Sequence, residues 1–244
     1  MAVRVERDGR VLSVTIDRPE TRNAVDLVTL QELERVLGDL GDARVVVLSG
    51  APPAFCSGAD LGGVELGEFT ETLLRVLKSF GASPVITIAA IDGPALGAGS
   101  QLAAACDLRI ATPESRFGVP AAKLGLAVDR WTVSRVMIEA GPSVARRMLL
   151  TGESATAAEL VGGFVHRLGT VADAHEWARS LCDLAPLTIR AHKIALESLM
   201  GAGASLDPSV DEIEAARLAA WASADAEEGR RAFKEKRPPN FSGH

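Results

Sequence analysis

The stretch Val85–Cys106, VITIAAIDGPALGAGSQLAAAC, reads as a buried strand, a glycine-rich turn and a helix in immediate succession. Val85–Ile91 is short and rich in branched aliphatics, the composition of a strand covered on both faces. Gly93–Gly99 breaks the run, and Ala98–Cys106 continues with helix-forming residues. Three further runs share the strand composition: Val11–Ile16, Val45–Leu48 and Leu108–Ala111. The first alternates most clearly and is placed to pair with Ala2–Glu6 across the Asp8-Gly9 turn signal. Between the first two lies Asp26–Gly41, where Leu27, Leu30, Leu33, Val36, Leu37 and Leu40 recur at helical spacing. Asp26 suits the N-cap and Gly38 or Gly41 the stop. Thr70–Phe80 reads as another helix. The expected class is therefore α/β, a strand–helix alternation with unequal repeats.

Beyond about residue 140 strands nearly vanish. Ser143–Leu150, Thr156–Leu160, Val171–Leu184, Leu187–Met200 and Ser209–Glu235 read as helices, with no flexible linker before them. The expected division is an α/β core over 1–185 and a helical C-terminal region over 186–244. With 26 Lys and Arg against 32 Asp and Glu, the net charge of −6 argues against nucleic acid as a partner, since a phosphate backbone needs a basic face. Cys56, Cys106 and Cys182 are odd in number and lack metal-ligand spacing, which suits a reducing cytoplasm. The longest apolar run, Pro84–Ile91, is too short to span a bilayer, and the N-terminus lacks a basic-then-apolar leader, so no stable membrane insertion is expected. His166, His175, His192 and His244 have no metal-like spacing, so no metal is expected either. No GxSxG elbow occurs, and Gly93–Gly99 lacks the Walker lysine and the Rossmann spacing.

Two loops carry the chemistry: Ala54–Leu61 and Gly93–Gln101. Each sets small residues where a strand-like run ends, so that a backbone N–H can approach a ligand unobstructed. Two such donors aimed at one point would polarise a thioester carbonyl. Tight turns that merely need small residues are the plainer alternative for either loop alone. Asp60 reads as a loop anchor, because carboxylates readily accept from neighbouring backbone N–H groups.

Five segments in order resemble the crotonase (enoyl-CoA hydratase/isomerase) superfamily. Arg18–Val25 is similar to its RPxxxNAL segment, Phe55–Leu61 to its FxxGxDL loop, and Ala89–Asp107 to its second oxyanion loop and helix. Phe117–Pro120 matches FGxPE except at the last position, and Ala232–Phe241 resembles the C-terminal signature. The resemblance implies a spiral of ββα units with a C-terminal helical trimerisation region, giving a homotrimer or homohexamer. It implies that the backbone N–H groups of Ala59 and Ala98 hold the thioester oxygen. Position 98 is usually glycine in the family, and alanine is compatible because the donor is backbone. Around them Arg22, Ala24, Val25, Ser57, Gly58, Asp60, Leu61, Pro94, Gly97, Pro120, Ala121, Trp131, Phe233 and Lys236 would contact an acyl-CoA, with Arg18 and Arg237 as further candidates. Coenzyme A thioester is then ligand or substrate, and no separate cofactor is implied.

The departures matter more. The family's two catalytic glutamates fall at Gln101 and Ala121. A glutamine amide orients a water or a carbonyl without cycling a proton, and an alanine does neither. The usual glycine-rich segment after Leu124-Gly125 is replaced by Leu126–Trp131. This combination is similar to the mycobacterial crotonase-like proteins of mycolic-acid biosynthesis that lack both glutamates. It implies binding of fatty acyl-CoA and its delivery to fatty-acid synthesis enzymes, with little hydratase activity. The alternative is an active hydratase or isomerase that uses Asp129 with Gln101; a purely structural oligomer is a third reading. The plainer role for Asp129 is a solvated or Arg130-paired loop residue.

Overall fold

A computed structural model describes residues 2–60, 66–200 and 210–244. β1 (Val3–Asp8) and β2 (Val11–Ile16) form an antiparallel hairpin in the register Val3↔Ile16 to Asp8↔Val11. α1 (Leu27–Gly38) follows, capped by Asp26, whose carboxylate accepts from Thr29 N at 2.8 Å. β3 (Val45–Gly50), α2 (Leu66–Ala82) and β4 (Ile86–Ile91) come next. The short β5 (Pro94–Leu96) then leads into α3 (Ala98–Ala105), β6 (Leu108–Ala111) and β7 (Arg116–Gly118). A 3-10 turn at Pro120–Leu124 precedes α4 (Arg130–Ala140), α5 (Pro142–Thr151), β8 (Ser154–Thr156) and α6 (Ala157–Leu160). β9 (Arg167–Leu168), α7 (Val171–Leu181), α8 (Pro186–Leu199), α9 (Val210–Trp221) and α10 (Ala224–Glu235) complete the described elements.

The main sheet has the order β1-β2-β3-β4-β6-β9 and is parallel from β2 onward; β5, β7 and β8 form a second, three-stranded sheet. Alternation along the central strands divides the core between the two faces of the main sheet. Leu12, Val14, Val46, Leu48 and Ala89 pack against Leu30 and Leu33 of α1, Val76 and Phe80 of α2, and Leu102 of α3. Val11, Val45, Val47, Ile86 and Ile88 pack against Ala174 and Ala178 of α7. The fold is thus mixed α/β, with helices on both faces of a largely parallel sheet.

The C-terminal helices are bolted to this sheet through a buried lysine. Lys193 Nζ of α8 donates to the Phe80 and Val85 carbonyls at 3.1 and 2.8 Å and to Asp107 Oδ2 at 2.6 Å. All three ammonium protons are thereby used, which a buried lysine requires. The continuous helix expected over Ser209–Glu235 is corrected to two helices, and Ser209 itself lies outside the described residues. The break falls at Ser223, whose hydroxyl accepts from Ala226 N at 3.1 Å and so caps α10. Among the described residues no helix is long and apolar enough to cross a membrane.

Arg109 on β6 is fully buried. Its guanidinium donates to the Phe164 carbonyl at 2.5 Å, to the Cys106 and Ala103 carbonyls at 2.7 and 3.3 Å, and to Glu139. It therefore satisfies the last carbonyls of α3, the helix whose other end opens the site. His166 Nδ1 accepts the Arg109 backbone N–H at 3.2 Å. Desolvation and the neighbouring guanidinium pull that imidazole down to about 4.

Candidate active site

Two loops meet where β3 and β4 end. Val25 N donates to the Gly58 carbonyl at 2.9 Å and Asp60 N to the Val25 carbonyl at 2.8 Å, a one-residue parallel bridge. In that pattern the residue between, Ala59, aims its own N–H away from Val25. Cys56 N to Pro94 O at 3.0 Å and Leu96 N to Cys56 O at 2.9 Å tie this loop to β5. Gly58 and Gly97 then face each other: φ is 131° at Gly58 and 52° at Gly97, and a Cβ on Gly97 would stand 3.6 Å from Gly58 Cα. The amides following these two glycines belong to Ala59 and Ala98. Neither donates to an acceptor among the described residues. Ala98 is also the first residue of α3, where the helix leaves its N–H groups open and its dipole favours negative charge.

Gly99 makes this approach possible. A Cβ there would collide with the Cys56 carbonyl oxygen and stand 3.0 Å from its carbon. Gly99→Ala should cost about 1–3 kcal/mol, as overpacking does. It should also spread the Ala59 and Ala98 amides apart, because relief of the clash requires α3 to move away from the 56–59 loop. A thermal unfolding midpoint equal to that of the parent would contradict this.

A second set of contacts holds the outer loop. Asn23 is fully buried at φ 59°; its Oδ1 accepts from Arg18 N at 2.9 Å, and its Nδ2 reaches the Ala51 and Ala54 carbonyls, both at 2.6 Å. The Arg18 guanidinium turns inward, pairing with Asp26 at 3.0 Å and Asp60 at 3.2 Å and donating to the Ala24 carbonyl. Arg18 is thus engaged by carboxylates beside Ala59 and does not face outward toward a phosphate. Ser57 N and Oγ bond the Arg22 and Thr21 carbonyls, both at 3.0 Å; Arg22 is exposed, Ala24 half-buried and Val25 buried. Leu61 lies outside the described residues. Burial pushes the Cys56 thiol up to about 11, so this loop offers no thiolate nucleophile.

The inner side is set by α3 and β7. Ser100 Oγ shares its one proton between the Ala95 and Gly118 carbonyls at 2.6 and 3.0 Å and accepts from Gly118 N at 2.9 Å, which locks α3 against β5 and β7. One turn past Ala98, the buried Gln101 donates from Nε2 to Thr132 Oγ1 at 2.7 Å. Asp129 is the N-cap of α4: its carboxylate accepts from Thr132 N at 3.0 Å and from Thr132 Oγ1 at 2.8 Å. It is exposed, as the solvated reading expects, but it caps the helix and is not paired with Arg130. Pro120 and Ala121 open the 3-10 turn after β7, both half-buried.

Trp131 is 8% exposed and lies beneath the Arg135 guanidinium, 5.1 Å from the ring centroid. It lines a cavity of about 540 Å³ with residues of α2, α4 and α8, and neither glycine loop contributes to that wall. In the tail, Arg237 pairs with Glu228 and Glu235, and hydrogen bonds from Arg237 and Arg231 hold the Glu228 carboxyl well below the carboxylate range. Lys236 is exposed at φ 53°, and the Phe233 side chain lies outside the described residues. Among the described residues, the side-chain hydrogen bonds and ion pairs of Asp225, Glu228, Arg231 and Arg237 stay within 225–244. Thr132, Asn23 and Ser100 are the site-building residues that the sequence reading passed over.

A family model described as enoyl-CoA hydratase/isomerase matches residues 6–244. The chain is 40% identical over 241 residues to "Probable enoyl-CoA hydratase echA6" of Mycobacterium tuberculosis, covering 96% of each. It is 36% identical over 261 residues to "Putative enoyl-CoA hydratase" of Thermus thermophilus, covering 98% of this chain and all of the relative. Among solved structures, an enoyl-CoA hydratase/carnithine racemase from Magnetospirillum magneticum superposes with a TM-score of 0.87. That pair shares 29% identity over 100% of this chain and 96% of the other.

Proposed function

Since the chain belongs to the enoyl-CoA hydratase/isomerase family, we propose that it binds fatty acyl-CoA thioesters at Ala59 and Ala98 with little turnover. On this reading it is an acyl-CoA binding or delivery protein of fatty-acid and mycolate metabolism. The observation that carries it is a contrast within one cleft. Two backbone amides beside the Gly58–Gly97 contact lack acceptors among the described residues, while Gln101 and Ala121 stand where the resemblance places the proton-transferring carboxylates. The amides suit an oxyanion developing on a thioester oxygen. Among the described residues beside them, Asp60 is held in an ion pair by Arg18 and Gln101 carries an amide in place of a carboxylate. Asp129 gives the catalytic alternative no support, because both its oxygens are engaged in capping α4. The assembly is a trimer or hexamer built through the C-terminal helices. Leu196 and Leu199 of α8 and Leu218 and Trp221 of α9 are exposed, with Leu199 at 81%, and would be covered by a second copy. Titration calorimetry with a long saturated acyl-CoA, beside a hydration assay with crotonyl-CoA and a longer enoyl-CoA, tests the reading. Saturable binding with marginal hydration is expected; no binding, or turnover at ordinary enzyme rates, overturns it.

A further inference from the structure

We propose that Asp129 and Thr132 are a positioning pair that holds the Gln101 carboxamide with its oxygen toward the cleft, which makes the site selective for acyl thioesters bearing a hydroxyl on the β carbon. The inference rests on the acyl-thioester reading above and refines its ligand class.

The direction of each hydrogen bond follows from what each group can give. A carboxylate near neutral pH has no proton, so Asp129 only accepts. Thr132 has one hydroxyl proton, and the 2.8 Å contact from Oγ1 to Asp129 Oδ2 uses it. Only lone pairs of Oγ1 then face Gln101. The carboxamide must therefore approach through an N–H, as it does at 2.7 Å. A flipped amide would set two acceptors against each other in a buried position, which is costly. The backbone contact from Thr132 N to Asp129 at 3.0 Å fixes the carboxylate, so the whole chain of contacts is anchored to the start of α4.

Gln101 Oε1 is what remains. It has no partner among the described residues and is not sealed from open space, since the sole buried, unpartnered side-chain atom described is on Arg44. Residues 98 and 101 share a helix face, and helical side chains lean toward the N-terminus, so this oxygen lies on the side of the Ala98 amide. Three residues of helix span about 4.5 Å, comparable to the reach from a thioester oxygen to a substituent on the β carbon. A carbonyl oxygen accepts and never donates. An enoyl or saturated chain brings no donor to this point, whereas a β-hydroxyl does.

Titration calorimetry with a 3-hydroxyacyl-CoA and the saturated acyl-CoA of equal length reads the preference as a ratio of affinities. The parent should favour the hydroxylated ligand by about fivefold to tenfold, the size of one buried hydrogen bond. Gln101→Leu should bring the ratio to about one. Thr132→Val should do the same, and Thr132→Ser should restore the preference, a rescue that general loosening of α4 would not produce. Asp129→Asn serves as a second probe should the valine variant not fold. It caps helices comparably but can donate to Thr132, which frees the hydroxyl proton and lets the carboxamide flip. Its ratio should fall as well. Equal affinities in the parent, or a ratio preserved in both Thr132→Val and Asp129→Asn, would overturn the inference while leaving acyl-CoA binding intact. Failure of both ligands to bind would overturn the acyl-thioester reading itself.

Discussion

Crotonyl-CoA should be hydrated at least roughly 10³-fold more slowly by this protein than by a hydratase with a carboxylate at each of the two positions, since each general acid or base contributes about 10²–10⁴-fold. The oxyanion donors can still lower the barrier to adding water, so the residual rate need not be zero. Asp129→Asn should not bring the several-hundredfold loss expected on removing a general base, because the carboxylate is already spent on Thr132. Restoring the carboxylates is less simple than the sequence suggests. In Gln101→Glu combined with Ala121→Glu, the new carboxylate at position 101 faces the lone pairs of Thr132 Oγ1, whose proton is committed to Asp129. The double variant should therefore recover little. Adding Asp129→Asn lets the amide donate to Thr132 and returns its proton to position 101, so the triple variant should exceed the double. A steady-state hydration assay across the series checks the order, and a double variant as active as the triple would contradict it.

Arg109→Met should destabilise the fold by about 3–5 kcal/mol, the cost of breaking a buried, multiply hydrogen-bonded ion pair from one side. The lost guanidinium leaves Glu139 with only its 3.5 Å pair to Arg135 and strands the carbonyls of Ala103, Cys106 and Phe164. Since two of those carbonyls end α3, the damage should reach the Ala98 amide, and acyl-CoA binding should weaken with stability. Denaturant midpoints measure the first effect. A shift under about 1 kcal/mol, as for a surface ion pair, would show that the cluster is solvated.

Much of the fold was legible because buried strands and capped helices advertise themselves locally. Val11–Ile16 and Leu108–Ala111 have the bounds read from their aliphatics, and Asp26 caps α1 as its position suggested. α4 was not legible. Its buried face mixes Trp131, Thr132, Arg135 and Val136, while Val133, Met137 and Ile138 are exposed, so apolar periodicity points the wrong way. β5 and β7 are three residues each and are strands only because the loops pair with one another. The break at Ser223 hid in a run of good helix formers whose one signal was a possible N-cap.

The candidate site divides in the same way. The glycines at 58 and 97 declare a close backbone approach, so the loops were readable from their residue types. The bond from Gln101 to Thr132 joins residues 31 apart and left no local trace. A partial signal existed in Asp129, three residues before Thr132, the spacing of a helix N-cap and the amide it receives. Reading that pattern would have moved Asp129 from candidate acid to structural cap, and it would have pointed to Thr132.

Infrared difference spectroscopy of an acyl-CoA labelled with ¹³C at the thioester carbonyl, bound to the protein in heavy water, bears most directly on the proposed grip without proton transfer. The carbonyl stretch should move to lower frequency on binding, because the amides of Ala59 and Ala98 polarise it, while the protons on the neighbouring carbon remain unexchanged. An unshifted stretch would mean that the two amides do not hold the oxygen, and rapid exchange would mean that a base is present in the cleft after all.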